Sequence, residues 1–185
     1  RADYAFWQHI LASLNSKSGR CAILFPHGVL FRNEEFEMRK KMIEDDVVEA
    51  VLGLGPNLFY NSPMEACIVF CRAKKLKNRK GKVLFINAVD DIVRQSAQSF
   101  LTEANIKRID GCYRNFSPEA GFSKVVTTEQ ISIQNFSLSI PLYVKATSNQ
   151  DEIKLTDAVS AYETSSAMFR SAVGQLLSTL KDGVQ

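Results

Sequence analysis

Apolar side chains recur along the chain first at helical spacing and then in short continuous runs. From Tyr4 to Leu14, the positions of Ala5, Phe6, Ile10, Leu11 and Leu14 trace one face of an amphipathic helix. Lys17-Ser18-Gly19 ends it and turns the chain. Cys21 to Phe25 is a short, unbroken apolar run, the kind expected of a strand buried on both faces in a parallel sheet, and Pro26-His27-Gly28 stops it sharply. Glu34 to Glu44 is dense in charge, with Phe36, Met42 and Ile43 as a partial apolar face, which predicts a solvent-facing helix covering one side of a sheet. Val47 to Leu52 reads as a second strand. Helix, buried strand, helix, strand is the rhythm of an α/β crossover sheet.

The rhythm then changes. Gly53-Leu54-Gly55-Pro56-Asn57 is a loop, Ala66 to Phe70 is β-rich, and a basic stretch from Arg72 to Lys82 leads into Val83-Leu84-Phe85-Ile86. Two strands joined without a helix are antiparallel neighbours or lie apart in the sheet, so an α/β sheet ending in an antiparallel hairpin is the expected shape. Beyond residue 90 the pattern is more helical and irregular. Thr102 and Asn105 form a weak cap before Ile106, Ile109 and Tyr113; Val125-Val126 starts a short extended piece; Thr128, Gln130 and Ile131 suggest one helical turn. Ser139-Ile140-Pro141-Leu142-Tyr143 reads as an extended exit. After the linker-like Ser148-Asn149-Gln150, Ile153 to Leu180 is periodic at Val159, Tyr162, Phe169, Val173, Leu176, Leu177 and Leu180. This predicts one helix or a broken pair, apolar on one side, and the stripe meets a partner or folds back on its own domain. The chain thus divides into residues 1–90, residues 91–147 and a helical region over residues 148–185.

Composition narrows the class. A chain of 185 residues with 45% hydrophobic and 23% charged residues is ordinary for a soluble globular protein. No apolar run approaches the ~20 residues of a membrane span, and the first residues lack a signal-peptide pattern. Arg1 rather than Met at the start is expected of a processed product or a piece of a longer chain. A net charge of +3 is too small to argue nucleic-acid binding by itself. The four cysteines are Cys21, Cys67, Cys71 and Cys112. Cys67 and Cys71 share a strand face but stand too far apart to bridge. Buried free thiols in a reducing, prokaryotic cytoplasm are expected, and His9 and His27 are not spaced for zinc.

No phosphate-cradling Gly-rich loop, nucleophile elbow or His-Glu-x-x-His helix is present, and Pro56 follows Gly53-Leu54-Gly55 where a helix should open. Asp45-Asp46 and Asp90-Asp91 are adjacent carboxylates that suit turns. Three segments are more specific together: Gly19 to Phe31 (GRCAILFPHGVLF), Leu52 to Phe70 (LGLGPNLFYNSPMEACIVF) and Gly81 to Ala88 (GKVLFINA). Asp3-Tyr4-Ala5-Phe6, Tyr113-Arg114-Asn115-Phe116 and Asn135 to Val144 (NFSLSIPLYV) complete the series. In order and spacing these resemble the later half of the modification subunit of type I restriction–modification systems, an adenine-N6 DNA methyltransferase that uses S-adenosylmethionine. The resemblance covers roughly residues 1–145. It implies the C-terminal half of a Rossmann-like methyltransferase fold, ending in an antiparallel hairpin and followed by helices.

The family's Gly-rich cofactor loop and its Asn-Pro-Pro-Phe-type catalytic motif do not occur in this sequence, so the resemblance implies a part without cofactor-binding or catalytic residues, inactive alone. The family also carries a glycine after the Phe-Tyr pair, where this chain has Asn61-Ser62-Pro63. Methylation of adenine inside a duplex requires flipping the base into a pocket with aromatic faces. The resemblance places Phe59 at that pocket, either stacking on the base or plugging the sheet, with Tyr60 lining the pocket or pointing away. His27 follows a strand's carboxyl end and Asn57 lies in the loop that leads to Phe59 and Tyr60, and both are candidates for pocket support. His27 is better read as stabilising its turn than as a general base. Lys74, Lys75, Lys77, Arg79 and Lys80, between Arg72 and Lys82, either lie along DNA phosphates or form a solvated turn. The implied partners are DNA and the specificity and restriction subunits of the same system. A non-catalytic module that binds the specificity subunit is the alternative. The strand Cys21 to Phe25 should also leave an unpaired edge, which favours self-association.

Overall fold

Val48–Leu54 forms the strand around which the sheet is built, and every residue of it is buried. The computed structural model describes residues 2–96, 98–145 and 155–182. The chain separates into a unit over Arg1–Thr147 and a second over Ser148–Gln185. In the first, a helix α1 (Ala2–Ala12) leads to β1 (Arg20–Pro26), a 3-10 turn at His27–Leu30, and α2 (Phe36–Glu44). The strands β2 (Val48–Leu54), β3 (Ala66–Arg72) and β4 (Lys82–Ala88) follow. A small hairpin of β5 (Val93–Gln95) and β6 (Gln98–Phe100) then precedes α3 (Glu103–Asn115), β7 (Ser123–Thr127) and α4 (Thr128–Ile133). The main sheet has five strands in the order β1-β3-β2-β4-β7. Among the described residues, only β2 and β4 pair in parallel; β1 with β3, β2 with β3 and β4 with β7 are antiparallel.

The expected α/β class therefore holds, with its antiparallel element placed differently. The strands on either side of the basic stretch are not a hairpin, because β2 lies between them. The antiparallel neighbours are β2 and β3, joined by residues 55–65. Nor is β1 buried on both faces in parallel surroundings. It is an edge strand in which Cys21, Ile23 and Phe25 turn inward while Ala22 and Leu24 are exposed. A continuous apolar run does not distinguish these cases, since pairing is decided by residues ~50 positions away.

Helices cover both faces. On one side α1, α2 and the segment 136–144 enclose Trp7, Val29, Leu30, Ile43, Val51, Val69, Phe85 and Leu138. The buried face of α1 is Tyr4, Trp7 and the half-buried Leu11, whereas Phe6, expected to face the core, is exposed. Burying Tyr4 and Trp7 removes the larger aromatic area, and the Tyr4 hydroxyl is satisfied by donating to the Val29 carbonyl at 3.0 Å. On the other side α3 lays Cys112, with Ile109 and Tyr113, over Leu52, Leu84 and Ile86. Its start is a full capping box rather than a weak cap: Asn105 N–H donates to the Thr102 hydroxyl at 3.2 Å and Thr102 N–H to Asn105 Oδ1 at 3.0 Å. Thr127 and Gln130 cap α4 the same way. The expected extended exit is instead a 3-10 turn at Ile140–Leu142.

A bulge in β2 inserts Glu49 as an extra residue, since Val48 opposes Cys71 and Ala50 opposes Phe70. Its carboxylate is buried and fully engaged. Arg72 Nε donates to Oε1 at 3.0 Å, the Tyr113 hydroxyl donates to Oε2 at 2.7 Å, and Arg79 Nη1 lies 3.4 Å from Oε1. This cluster ties β2 to α3 and to the loop after β3.

The second unit contains a helix α5 (Leu155–Asp182), a single continuous element over those residues. The linker-like Ser148-Asn149-Gln150 lies outside the described residues. Val159, Tyr162, Phe169, Val173, Leu176 and Leu177 are exposed along α5. No helix among the described residues is long and apolar enough to cross a membrane.

Candidate functional site

The pairing register assembles one end of the sheet. Pro26 and Leu54 both oppose Ala66, and Leu54 also opposes Ala88. The carboxyl ends of β1, β2 and β4 therefore meet the start of β3, which is where open α/β sheets place their ligands. His27 leaves the end of β1, the Phe59-Tyr60 loop leaves β2, and Val89 leaves β4.

The loop owes its shape to left-handed residues. Asn57 has φ 59° and Asn61 has φ 57°, a region that asparagine tolerates better than most side chains. Asn61 therefore adopts backbone geometry that a glycine would also take. The turn is closed by Ser62 N–H donating to the Phe59 carbonyl at 3.1 Å. The hairpin of β5 and β6 is latched to the loop by Ser99 N–H, which donates to the Asn57 carbonyl at 2.8 Å. Together Asn57, Phe59, Tyr60, Asn61, Ser62, Pro63 and Gln98 line an open cavity of about 330 Å³.

The two aromatics differ. Phe59 is half-buried and packs against the core beneath α3, while Tyr60 is 92% exposed. His27 reaches across to β3: a carbonyl only accepts, so Nε2 carries the proton and donates to the Ala66 oxygen at 2.8 Å. Its Nδ1 stands 3.5 Å from Glu65 Oε2. Through the Nε2 bond the ring joins the end of β1 to the start of β3. Gly53 and Gly55 serve packing. A Cβ on Gly53 would press on Ile140 Cδ1, and one on Gly55 would run into the Val89 carbonyl oxygen. Close packing at the end of β2 therefore requires both glycines.

The basic stretch lies at the other end of the sheet, where Arg20 opposes Arg72 and Lys82 opposes Thr127. A seven-residue strand at ~3.3 Å per residue separates the two ends by roughly 20 Å. Within the stretch the cations divide. Lys75 is buried, pairs with Asp46 at 2.5 Å and donates to the Lys82 carbonyl at 2.8 Å. Burial draws its pKa down against the pull of Asp46. Arg79 is buried as well, donating to the Arg114 carbonyl at 2.6 Å and lying over the rings of Tyr113 and Phe116. Expecting Lys75 and Arg79 on phosphates is therefore corrected: both side chains are turned inward, where their charges are needed by Asp46 and Glu49. Lys74, Lys77 and Lys80 are exposed. Asp46 also accepts from Gly81 N–H at 3.0 Å, and Asp91 pairs with Arg108 at 2.9 Å, so each carboxylate doublet contributes one member to holding a loop.

Sequence reasoning passed over Gln98 and the buried Glu49. A run of glutamines and serines around residue 98 carries no strand periodicity, and only the pairing of β5 with β6 brings it to the loop. Among the described residues no group of three or more His, Cys, Asp or Glu side chains is placed to hold a metal ion.

An open α/β sheet of this kind hosts many chemistries, so the class of the chain rests on its relatives. The model of the N-6 DNA Methylase family matches residues 1–152, so the chain belongs to that family. It is 34% identical over 158 residues to the type I restriction enzyme MjaVIII methylase subunit of Methanocaldococcus jannaschii, covering 83% of this chain and 27% of that protein. It is 30% identical over 156 residues to the MpnII methylase subunit of Mycoplasma pneumoniae, covering 84% of this chain and 28% of that one. The crystal structure of a type I restriction–modification methyltransferase subunit from Streptococcus thermophilus superposes with a TM-score of 0.73 at 33% identity, over 78% of this chain and 31% of its own. The chain thus spans under a third of the length of these relatives.

Proposed function

We propose that the chain supplies the adenine-facing wall and an assembly surface of a type I adenine-N6 DNA methyltransferase acting with S-adenosylmethionine in a prokaryotic cytoplasm. The observation that carries this reading is the aromatic loop over its cavity at the carboxyl end of the sheet. In it, Phe59 is the anchored wall and Tyr60 the free ring on which a flipped adenine stacks, with Asn57 and His27 holding the loop and the strand ends that support it. Stacking of a base on such a ring contributes about 1–3 kcal/mol. The chain by itself neither binds the cofactor nor transfers a methyl group, because neither a cofactor loop nor a catalytic Asn-Pro-Pro-Phe motif occurs in it. DNA and the specificity and restriction subunits are its partners in the intact enzyme. Any contribution of Lys74, Lys77 and Lys80 is to phosphates away from the flipped base.

A second reading, a non-catalytic module that binds the specificity subunit, draws support from α5. Val159, Tyr162, Ser166, Phe169, Val173 and Leu176 alternate in steps of three and four, the spacing of a helix that packs along another helix. The test is made in the intact subunit on target DNA. Tyr60→Ala should lower the methylation rate by the ~1–3 kcal/mol of the lost stack while cofactor affinity stays unchanged. Unchanged methylation in both Tyr60→Ala and Phe59→Ala would remove the loop from the pocket and leave the module reading.

A further inference from the structure

We propose that Cys21 and Cys71 form a redox-active dithiol that closes to an intramolecular disulfide by exchange with a low-molecular-weight disulfide. The two residues are direct partners on the antiparallel strands β1 and β3. Ala73 N–H donates to the Gly19 carbonyl at 2.9 Å, so the pair formed by residues 19 and 73 is a hydrogen-bonded one. Alternation along the ladder places Cys21 and Cys71 in the same class, with Cα atoms about 5.5 Å apart and side chains on the same face. That Cα separation lies within the ~4.4–6.8 Å of disulfides, while the Cβ atoms of such a pair, ~5.5 Å apart, must close to ~4.5 Å or less, so bond formation draws the edge strand β1 toward β3 and leaves a strained, readily reducible disulfide. By contrast, Cys67 lies on β3 with its thiol toward the Pro26 carbonyl, and Cys112 lies on α3 with its thiol toward the Ser117 carbonyl.

The two thiols are differentiated in the way exchange requires. Cys21 is half-exposed on an edge strand, and Cys71 is buried behind it. Hydrogen bonding from Cys71 outweighs burial and draws the Cys21 pKa down to about 7, which favours the more exposed Cys21 as the nucleophile. The Cys71 thiol is pushed up, first by that same neighbour and then by burial. Cys21 is thus the attacking sulfur and Cys71 the resolving one. The Cys21 thiolate attacks one sulfur of the small disulfide, forming a mixed disulfide and releasing one thiolate. Cys71 then attacks Cys21 Sγ, its proton passing to solvent, and expels the second thiolate. Two protein thiols and one disulfide become one protein disulfide and two small thiols, a two-electron exchange.

Oxidised glutathione serves as the probe on the whole chain, reduced beforehand. After anaerobic equilibration and alkylation of the remaining thiols, peptide mapping without reduction should find Cys21 joined to Cys71, with loss of two hydrogens, and Cys67 and Cys112 alkylated. Trp7, the single tryptophan, lies beside the Cys71 thiol, so its fluorescence should shift on oxidation and return with dithiothreitol. In Cys71→Ser the reaction should stop at a glutathione adduct on Cys21. A wild-type chain that stops at that adduct, joins Cys71 to Cys67, or keeps both thiols free through the titration overturns the proposal.

Discussion

Replacing Glu49 by glutamine removes a charge from a buried cluster while keeping its shape, so the loss measures the ion cluster rather than a cavity. In the folded chain the Glu49 side chain is 1% exposed, that of Arg79 8% and that of Arg72 18%. Breaking a fully buried pair costs about 3–5 kcal/mol, because the surviving charge is left uncompensated. Here Arg79 keeps the Arg114 carbonyl and two aromatic faces, and Arg72 reaches some solvent, which lowers the expected loss to about 2–3 kcal/mol. Tyr113→Phe, which deletes only the hydroxyl, should cost about 1 kcal/mol. Because both changes act on one carboxylate, the double variant should lose less than the sum. Urea unfolding followed through Trp7, which is fully buried, gives these values directly. A loss below about 0.5 kcal/mol for Glu49→Gln, in the range of ordinary surface changes, would refute the argument that the bulge is held by ion pairing.

Other outcomes follow from the same geometry. Lys75→Met should be tolerated better than Asp46→Ala, since the latter leaves the buried Lys75 ammonium without its counter-charge and Gly81 N–H without its acceptor; chemical denaturation ranks the two. Burial raises the Cys67 thiol to about 12, so its contribution is fully present below pH 9 and is lost as pH rises from there toward 12, at up to ~1.4 kcal/mol per unit. Cys67→Ala should flatten that alkaline slope, and an unchanged slope between pH 9 and 10 would remove Cys67 as its source. Titrating S-adenosylmethionine into the chain should give no heat of binding; micromolar affinity would mean that the glycines at the end of β2 do more than pack. The outer edge of β1 has no strand partner among the described residues, and we expect concentration-dependent dimers by sedimentation, against which a stable monomer at high concentration would count.

Much of this was legible along the chain. Helix positions, the strands Cys21 to Phe25, Val47 to Leu52, Ala66 to Phe70 and Val83 to Ile86, and the loop carrying Phe59 and Tyr60 follow from local periodicity and turn residues, because a helix or strand face is written within a dozen neighbouring positions. The ordered series of motifs also pointed to the family, although no single motif suffices. Pairing was not legible. Whether β1 is central or at an edge, and whether β3 and β4 touch, depends on contacts between residues far apart in sequence, where an apolar run is compatible with several partners. The inward turn of Lys75 and Arg79 could not be read from a lysine-rich loop, since it depends on Asp46 and on a carboxylate that a bulge in another strand delivers. The opposition of Cys21 and Cys71, fifty residues apart, likewise exists only once β1 lies against β3. Local patterning set the elements because backbone hydrogen bonding and amphipathicity act at short range; only tertiary packing decided which charges, rings and thiols meet, because desolvation acts on whatever the fold brings together.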